Sequence, residues 1–467
     1  MDLRKVIRGK EDDIAYIIND KKISYRELFD SALRYGDLLK KQGDGPVIIY
    51  GHKSINVLIA IFACISANRT YIPIDLCTPI ERINKIIEIT NCDIVLTDEI
   101  INISNCEIST LEELGKYEKF DIKTIDNDIV YIIFTSGSTG DPKGVPISYD
   151  NLFNFIYWIS NLKPLCNYDN VHVLNQASFS FDLSVADLFY SVYNGHQLVA
   201  LDSKAQNDYN QIFETIKFNE INVMVITPTF MKLCLVNKEF NSINYSSLNC
   251  IYFCGEQLEV GLVKQIYDRF PDMHIINAYG PTEATSAVCA TNITRDMLDY
   301  DILPCGDILE SATNIDIIEN QIVLSGQSVF NGYLNSLVGG YYKVDDINYF
   351  KTGDIGYIRD NKLYCKGRID SQIKYKGYRI ELMDIEYNLR KIIGVKDCVV
   401  IAKYYNDYNI KMIKAYVVLE NYCSVDFVKE ELTKLIPLYM IPKQIIKLDE
   451  IPINCNGKID RRKLSEL

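Results

Sequence analysis

The residues best placed to do chemistry in this chain are concentrated in one short stretch, Phe134-Thr-Ser-Gly-Ser-Thr-Gly-Asp-Pro-Lys-Gly144. Glycines let backbone N–H groups turn toward an anion, and hydroxyls and a lysine add donors and positive charge. An apolar run, Ile129 to Phe134, enters the stretch, and a helical pattern begins near Asp150. This composition predicts a phosphate-binding loop. It is not the common P-loop, which requires Gly-Lys-Ser/Thr after four spacers. Counted from Gly137, the positions are Pro142, Lys143 and Gly144, so a phosphate loop of another class is implied.

The elements that would position such a loop follow from pattern. Runs at Val171–Leu174, Gln197–Leu201, Val223–Ile226, Cys250–Cys254 and His274–Asn277 have the texture of buried strands. Helical stretches at Asp182–Tyr193, Tyr209–Asn219 and Val260–Phe270 alternate with them. The alternation predicts a layered α/β domain with largely parallel strands, whose ligands sit beyond the strands' carboxyl ends. After about Asp370 the texture changes: helical patterns at Glu381–Ile392 and Val425–Leu435 flank strands at Val399–Lys403 and Ile413–Leu419. The expected organisation is a large α/β domain over 1–369 and a small, mobile α+β domain over 370–467, with Gly367-Arg-Ile-Asp370 as the hinge.

The bulk composition excludes several classes. The chain has 467 residues, 48% of them hydrophobic, and a net charge of −13. That charge argues against a nucleic-acid coat or an anionic-membrane binder. Fourteen scattered cysteines without a Cys-x-x-Cys pair, and four histidines, give no zinc-ligand spacing. They read as buried thiols of a reducing cytoplasm. The start, Met1-Asp-Leu-Arg-Lys, has no signal-peptide pattern, and the apolar run Val57–Ala67 is too short to span a bilayer.

Further motifs form an ordered series: Ile23-Ser-Tyr-Arg-Glu-Leu28, Ala67-Asn-Arg-Thr-Tyr-Ile-Pro-Ile-Asp75, the Ser/Thr/Gly loop, Phe181-Asp-Leu-Ser184, and Asn277-Ala-Tyr-Gly-Pro-Thr-Glu283. Phe350-Lys-Thr-Gly-Asp354, the segment Gly367 to Glu381, Leu435-Ile-Pro-Leu-Tyr-Met-Ile-Pro442 and Asn456-Gly-Lys-Ile-Asp-Arg461 complete it. Together they resemble the adenylate-forming superfamily of acyl-CoA synthetases, luciferases and amino-acid adenylation domains, over nearly the whole chain. Phe179-Ser-Phe-Asp-Leu-Ser-Val185, Phe253-Cys-Gly-Glu256 and Asn277 to Thr285 look most like the D-alanine–D-alanyl carrier protein ligases within it.

That resemblance implies two half-reactions: a carboxylate attacks the α-phosphorus of ATP, and a phosphopantetheine thiol on a carrier protein then takes the acyl group. Lys458 would be the catalytic lysine, touching both ATP and the substrate carboxylate. Thr135, Ser136, Gly137, Ser138, Thr139 and Gly140 would hold the outgoing phosphates, and Lys143 would contact phosphate or steady the loop. Asn277, Ala278, Tyr279, Gly280, Pro281 and Thr282 would wrap the nucleotide, with Tyr279 against the adenine. Asp354 would accept the ribose hydroxyls, beside Cys365, Lys366, Gly367 and Arg368. Glu283 would help hold Mg²⁺, which favours carboxylate and phosphate oxygens. Asp370 would be the pivot, carrying Lys458 away and bringing the Gly377 region to the thiol.

Asp182 is the substrate clue, because a buried carboxylate after an aromatic needs a cationic partner and a substrate ammonium supplies one. Its alternative is an N-cap for the following helix. Ala186, Cys254, Ala278 and Ser286 would line the acyl pocket. The D-alanine enzymes commonly have methionine where Ala186 stands, threonine at Ala278 and a small apolar residue at Ser286. One methylene is worth about 1–3 kcal/mol of discrimination, so a larger amino acid such as proline stays open beside D-alanine. The implied setting is teichoic acid D-alanylation; the alternative is a stand-alone adenylation domain of a nonribosomal peptide pathway. The chain stops six residues past Arg461, so the carrier is expected to be a separate protein.

Overall fold

The computed structural model describes residues 9–101, 103, 106–109, 128–137, 140–202, 208–335, 339–405, 410–452 and 459–466. Lys458, Ser138 and Thr139 lie outside the described residues.

Strict alternation along the strands builds the large domain. Val223 and Val225 join one core and Met224 and Ile226 another, and Cys250 and Tyr252 part from Ile251 and Phe253 in the same way. Both faces of these strands are therefore covered, as parallel sheets require. Val223–Ile226, Cys250–Phe253, His172–Asn175, Gln197–Ala200 and His274–Tyr279 are the parallel body of an eight-stranded sheet. Ile14–Ile18 adds in parallel, and Cys289–Ile293 and Lys21–Ser24 are antiparallel edges.

A second, six-stranded sheet runs in the order Glu107–Ser109, Ile94–Leu96, Val47–Tyr50, Tyr71–Ile74, Ile129–Thr135 and Lys143–Ser148. Its inward residues, such as Val47 and Ile49, share a core with the first sheet and with the helices Tyr25–Gln42, Ile55–Ala67, Tyr149–Asn161 and Leu183–Asn194. The helix Ile55–Ala67 is buried nearly all round between the layers, as its uniformly apolar sequence dictates. Among the described residues, no helix is long and apolar enough to cross a membrane.

Two features depart from the sequence reading. The loop expected to bind phosphate is the turn of a β-hairpin: Ile129–Thr135 pairs antiparallel with Lys143–Ser148, while the helix starts at Tyr149, beside the expected Asp150. Also, a third, antiparallel sheet formed by Gly306–Asp307, Lys362–Arg368, Ile347–Arg359, Gln321–Ser325 and Asn314–Ile318 stands where alternation gave no signal. Tyr341–Val344 pairs with its long strand.

Past Asp370 a separate core runs from Ile373 to Met440. It packs the helices Leu382–Lys391 and Val425–Leu435 on a sheet of Val395–Tyr404, Ile410–Leu419 and Gln444–Lys447. A two-stranded hairpin, Gln372–Tyr375 and Tyr378–Glu381, projects from it toward the large domain.

Candidate active site

The carboxyl ends of the parallel strands deliver the site. Ala278 on a strand, Cys254 just past one and Ala186 on the helix Leu183–Asn194 are all buried in the same inner core. The Cys254 thiol lies 3.8 Å from the Ser286 carbonyl. Burial pushes that thiol up to about 12, so it is a protonated, unreactive wall. Ser286 follows Thr285 in left-handed backbone, at φ 71 and 59, which turns the chain sharply beneath Cys254.

Asp182 opens the helix Leu183–Asn194 yet makes no capping hydrogen bond. Thr282, Lys374 and Arg379 lie close enough to its carboxylate to act on it. Burial raises its pKa, and the Thr282 hydroxyl and the two cations only partly oppose that. A cation arriving from outside would therefore be favoured there. Pro281 precedes the short turn Thr282–Ala284 that places Thr282 and Glu283.

At the end expected to meet the ribose, Asp354 sits opposite Arg368 in the register of two paired strands. Arg368 Nη1 donates to Asp354 Oδ1 at 2.8 Å, and the Tyr279 hydroxyl donates to Oδ2 at 2.6 Å. The other guanidinium edge grips Asp370 through two 2.7 Å bonds. Burial would push the Asp370 carboxyl up, but Arg368 holds it below its ordinary value. A cavity of about 750 Å³ opens here. It gathers Asn277 to Gly280 from one strand end, Asp354 from another and Cys365 to Arg368 from a third. These are the residues expected to meet the nucleotide, and each Asp354 oxygen keeps a second acceptor direction for a hydroxyl.

The phosphate end is different. Thr135 pairs with Lys143 at the hairpin mouth, and Lys143 Nζ lies 5.6 Å over the Tyr333 ring. The hairpin of the small domain is docked against this end. The Ser136 hydroxyl accepts from Glu381 N–H at 2.9 Å and donates to the Arg379 carbonyl at 3.2 Å. Gly140 has φ 81, and a Cβ there would fall 1.8 Å from Tyr387. The Gly377 N–H donates to Glu256 Oε1 at 2.7 Å, and Tyr378 stacks on Tyr439 at 4.1 Å while meeting Phe181 edge-on at 4.5 Å. The Gly377 side of the small domain thus faces the site.

Glu283 is fully buried, with Arg379 Nη1 on Oε2 and the Tyr333 hydroxyl on Oε1, both at 2.5 Å. Burial pushes its carboxyl up, but Arg379 and Tyr333 hold it below the ordinary range. Arranged in this way, the carboxylate does not fit a divalent cation: its charge is matched and both oxygens are taken. Among the described residues, no cluster of three or more His, Cys, Asp or Glu could hold a metal ion.

Arg379, Tyr333 and Glu256 were missed as site residues in the sequence. Arg379 belongs to the motif Gly367–Glu381, and its one signal was an arginine two residues past a hairpin glycine. Glu256 closes the motif Phe253–Glu256 but was given no role there, and Tyr333 was not singled out.

A layered α/β body, a nucleotide-sized cavity at its strand ends and a small domain closing over the cavity define an adenylate-forming enzyme. The family model for AMP-binding enzymes matches residues 3–334. The chain belongs to this family of AMP-forming ligases, alongside curated relatives named D-alanine–D-alanyl carrier protein ligase. The relative from Listeria monocytogenes is 37% identical over 95% of this chain and 94% of its own length. The one from Bacillus licheniformis is 34% identical over 99% and 98%. The fold matches an adenylation domain from Vibrio cholerae solved with glycyl-adenosine-5′-phosphate, with TM-score 0.84, 24% identity and coverage of 99% and 96%.

Proposed function

We propose that this protein activates a small amino acid, D-alanine first, as its adenylate at the expense of ATP, and passes the acyl group to the phosphopantetheine thiol of a separate carrier protein. The observation that carries the substrate class is Asp182, an uncapped interior carboxylate whose pKa burial has raised. An amino acid's ammonium would complete it; an aryl or fatty acid has nothing to offer there. The curated relatives' names support D-alanine, whereas the small Ala186 leaves room for a larger side chain such as that of proline.

In the first half-reaction a substrate carboxylate oxygen bonds to the α-phosphorus and pyrophosphate leaves with the bond's electrons. Catalysis is then mainly positioning and charge neutralisation. Asp354 and Arg368 hold the ribose, Asp182 holds the ammonium, the Thr135–Gly140 loop donates to the departing phosphates, and Lys458 bridges carboxylate and α-phosphate. In the second half-reaction the thiol sulfur bonds to the acyl carbon, its proton is lost and AMP departs. The boundary lies at residues 369 and 370, with Asp370 as pivot, so that Lys458 serves the first step and the Gly377 hairpin the second. Domain closure of this kind separates steps that share one site.

Pyrophosphate exchange into ATP tests the reading across D-alanine, L-alanine, L-proline and an aryl acid. Exchange should be strongest with D-alanine. Exchange with proline alone would replace the substrate, and none with any acid would remove the enzymatic reading.

A further inference from the structure

The side of the site assigned to the acyl group holds buried hydroxyls that the described residues do not answer. Ser286 is 2% exposed, and its Oγ has no hydrogen-bond partner among the described residues. Its neighbour Thr285, by contrast, donates its hydroxyl to the Ser328 carbonyl at 3.2 Å. Tyr252 and Tyr131, fully buried in the same core as Cys254 and Ala278, have unpartnered hydroxyls among the described residues as well. An enclosed hydroxyl left without a partner is destabilising, so each one calls for something that answers it. Contacts link all three to the substrate end of the site. The Ser286 carbonyl accepts from the Cys254 thiol at 3.8 Å, and a Cβ on Gly280 would fall 2.9 Å from the same oxygen. Gly280 and Gly255, the latter next to Cys254, both line the cavity. Cys254 lies close enough to act on Tyr252, and Asp182 on Tyr131. Burial keeps both phenols protonated, so each can donate.

We propose that these hydroxyls receive a hydroxyl on the substrate's own side chain, so that the pocket takes serine beside alanine. The proposal rests on the reading above, in which Asp182 holds the ammonium and Ser286 lines the acyl pocket. Ala186, small and buried, leaves the room that a side chain longer than methyl requires. Space alone would favour an apolar group of that size. The hydroxyls reverse the order: an apolar side chain leaves Ser286 and Tyr252 unanswered, whereas a hydroxymethyl group both donates and accepts. Sites built to hydrogen-bond a substrate hydroxyl discriminate far more strongly than sites that only measure volume. Ser286 and Tyr252 are then specificity-determining, and proline, which brings no hydroxyl, is the poorer of the larger substrates.

The test compares pyrophosphate exchange with serine and with 2-aminobutyrate, which replaces the serine hydroxyl by a methyl group of similar size. Both enantiomers of each are used, with D- and L-alanine as references. In the wild type, kcat/KM should be higher for serine than for 2-aminobutyrate by about 10- to 100-fold, in the enantiomer that alanine selects. Ser286→Ala should lower that ratio by about tenfold, and Tyr252→Phe added to it should bring the ratio near one. A wild-type ratio at or below one overturns the proposal and, with alanine still exchanged, leaves the adenylation reading standing. A high ratio that survives in the double variant also overturns it, because other groups would then read the substrate hydroxyl. No exchange with any amino acid removes the adenylation reading and the proposal with it. If the variants do not fold, the wild-type ratio decides alone.

Discussion

The ribose end and the phosphate end of this site each present a buried carboxylate answered by an arginine. At the ribose end Arg368 is the register partner of Asp354 in one sheet, so the pair is fixed wherever the small domain goes. The cavity of about 750 Å³ beside it is walled by both domains, with Lys374 and Ile401 on the small-domain side. At the phosphate end Arg379 crosses from the small domain to Glu283, and the strand that carries it covers Ser136. Similar chemistry thus gives a permanent feature in one place and a removable one in the other. The difference lies in chain connection: a sheet register holds Arg368, whereas docking holds Arg379. On the proposed reading, a site that runs two reactions uses both kinds, a constant grip on the nucleotide shared by both steps and a temporary cover for phosphates present in only one.

The comparison can be broken by making the permanent end behave like the temporary one. Asp354→Asn should weaken AMP and ATP alike, by about 10- to 100-fold in a binding titration, because a charged acceptor to the ribose is lost. A loss confined to ATP would mean that Asp354 belongs to the phosphate end. Arg368→Lys sharpens the contrast with a smaller effect. It forfeits the two-bond grip on Asp370 but keeps a cation near Asp354. AMP affinity should fall within about tenfold. A larger fall for ATP than for AMP would show that Arg368 also reaches the phosphates.

Much of this was legible in the sequence because it is local or periodic. The strands between Val171 and Tyr279 announce themselves as apolar runs, and Val425–Leu435 begins and ends where its pattern does. Asp354, Arg368 and Asn277 to Gly280 do meet at one cavity. The rest was hidden because it depends on distant contacts. The strand Lys143–Ser148 was not expected from the sequence: it carries Pro146 and forms by pairing with Ile129–Thr135. Arg379 and Tyr333 lie far apart in sequence and acquire roles only by converging on Glu283. Asp182 was read as either a cap or a substrate contact, and the helix that follows it forms without its side chain.

The central claim is that one site serves two steps and that the docked hairpin belongs to the second. Gly377 holds φ 83, and any Cβ on it would meet Thr227 Cγ2 at 2.9 Å, so Gly377→Val should oppose docking and spare the first step. The decisive measurement is a single-turnover quench that resolves D-alanyl-adenylate from carrier thioester in one reaction. The variant should form adenylate at the wild-type rate and hold it, with thioester formation slowed on the order of 10- to 100-fold. Thioester formed at the wild-type rate, or adenylate and thioester lost together, would contradict the account.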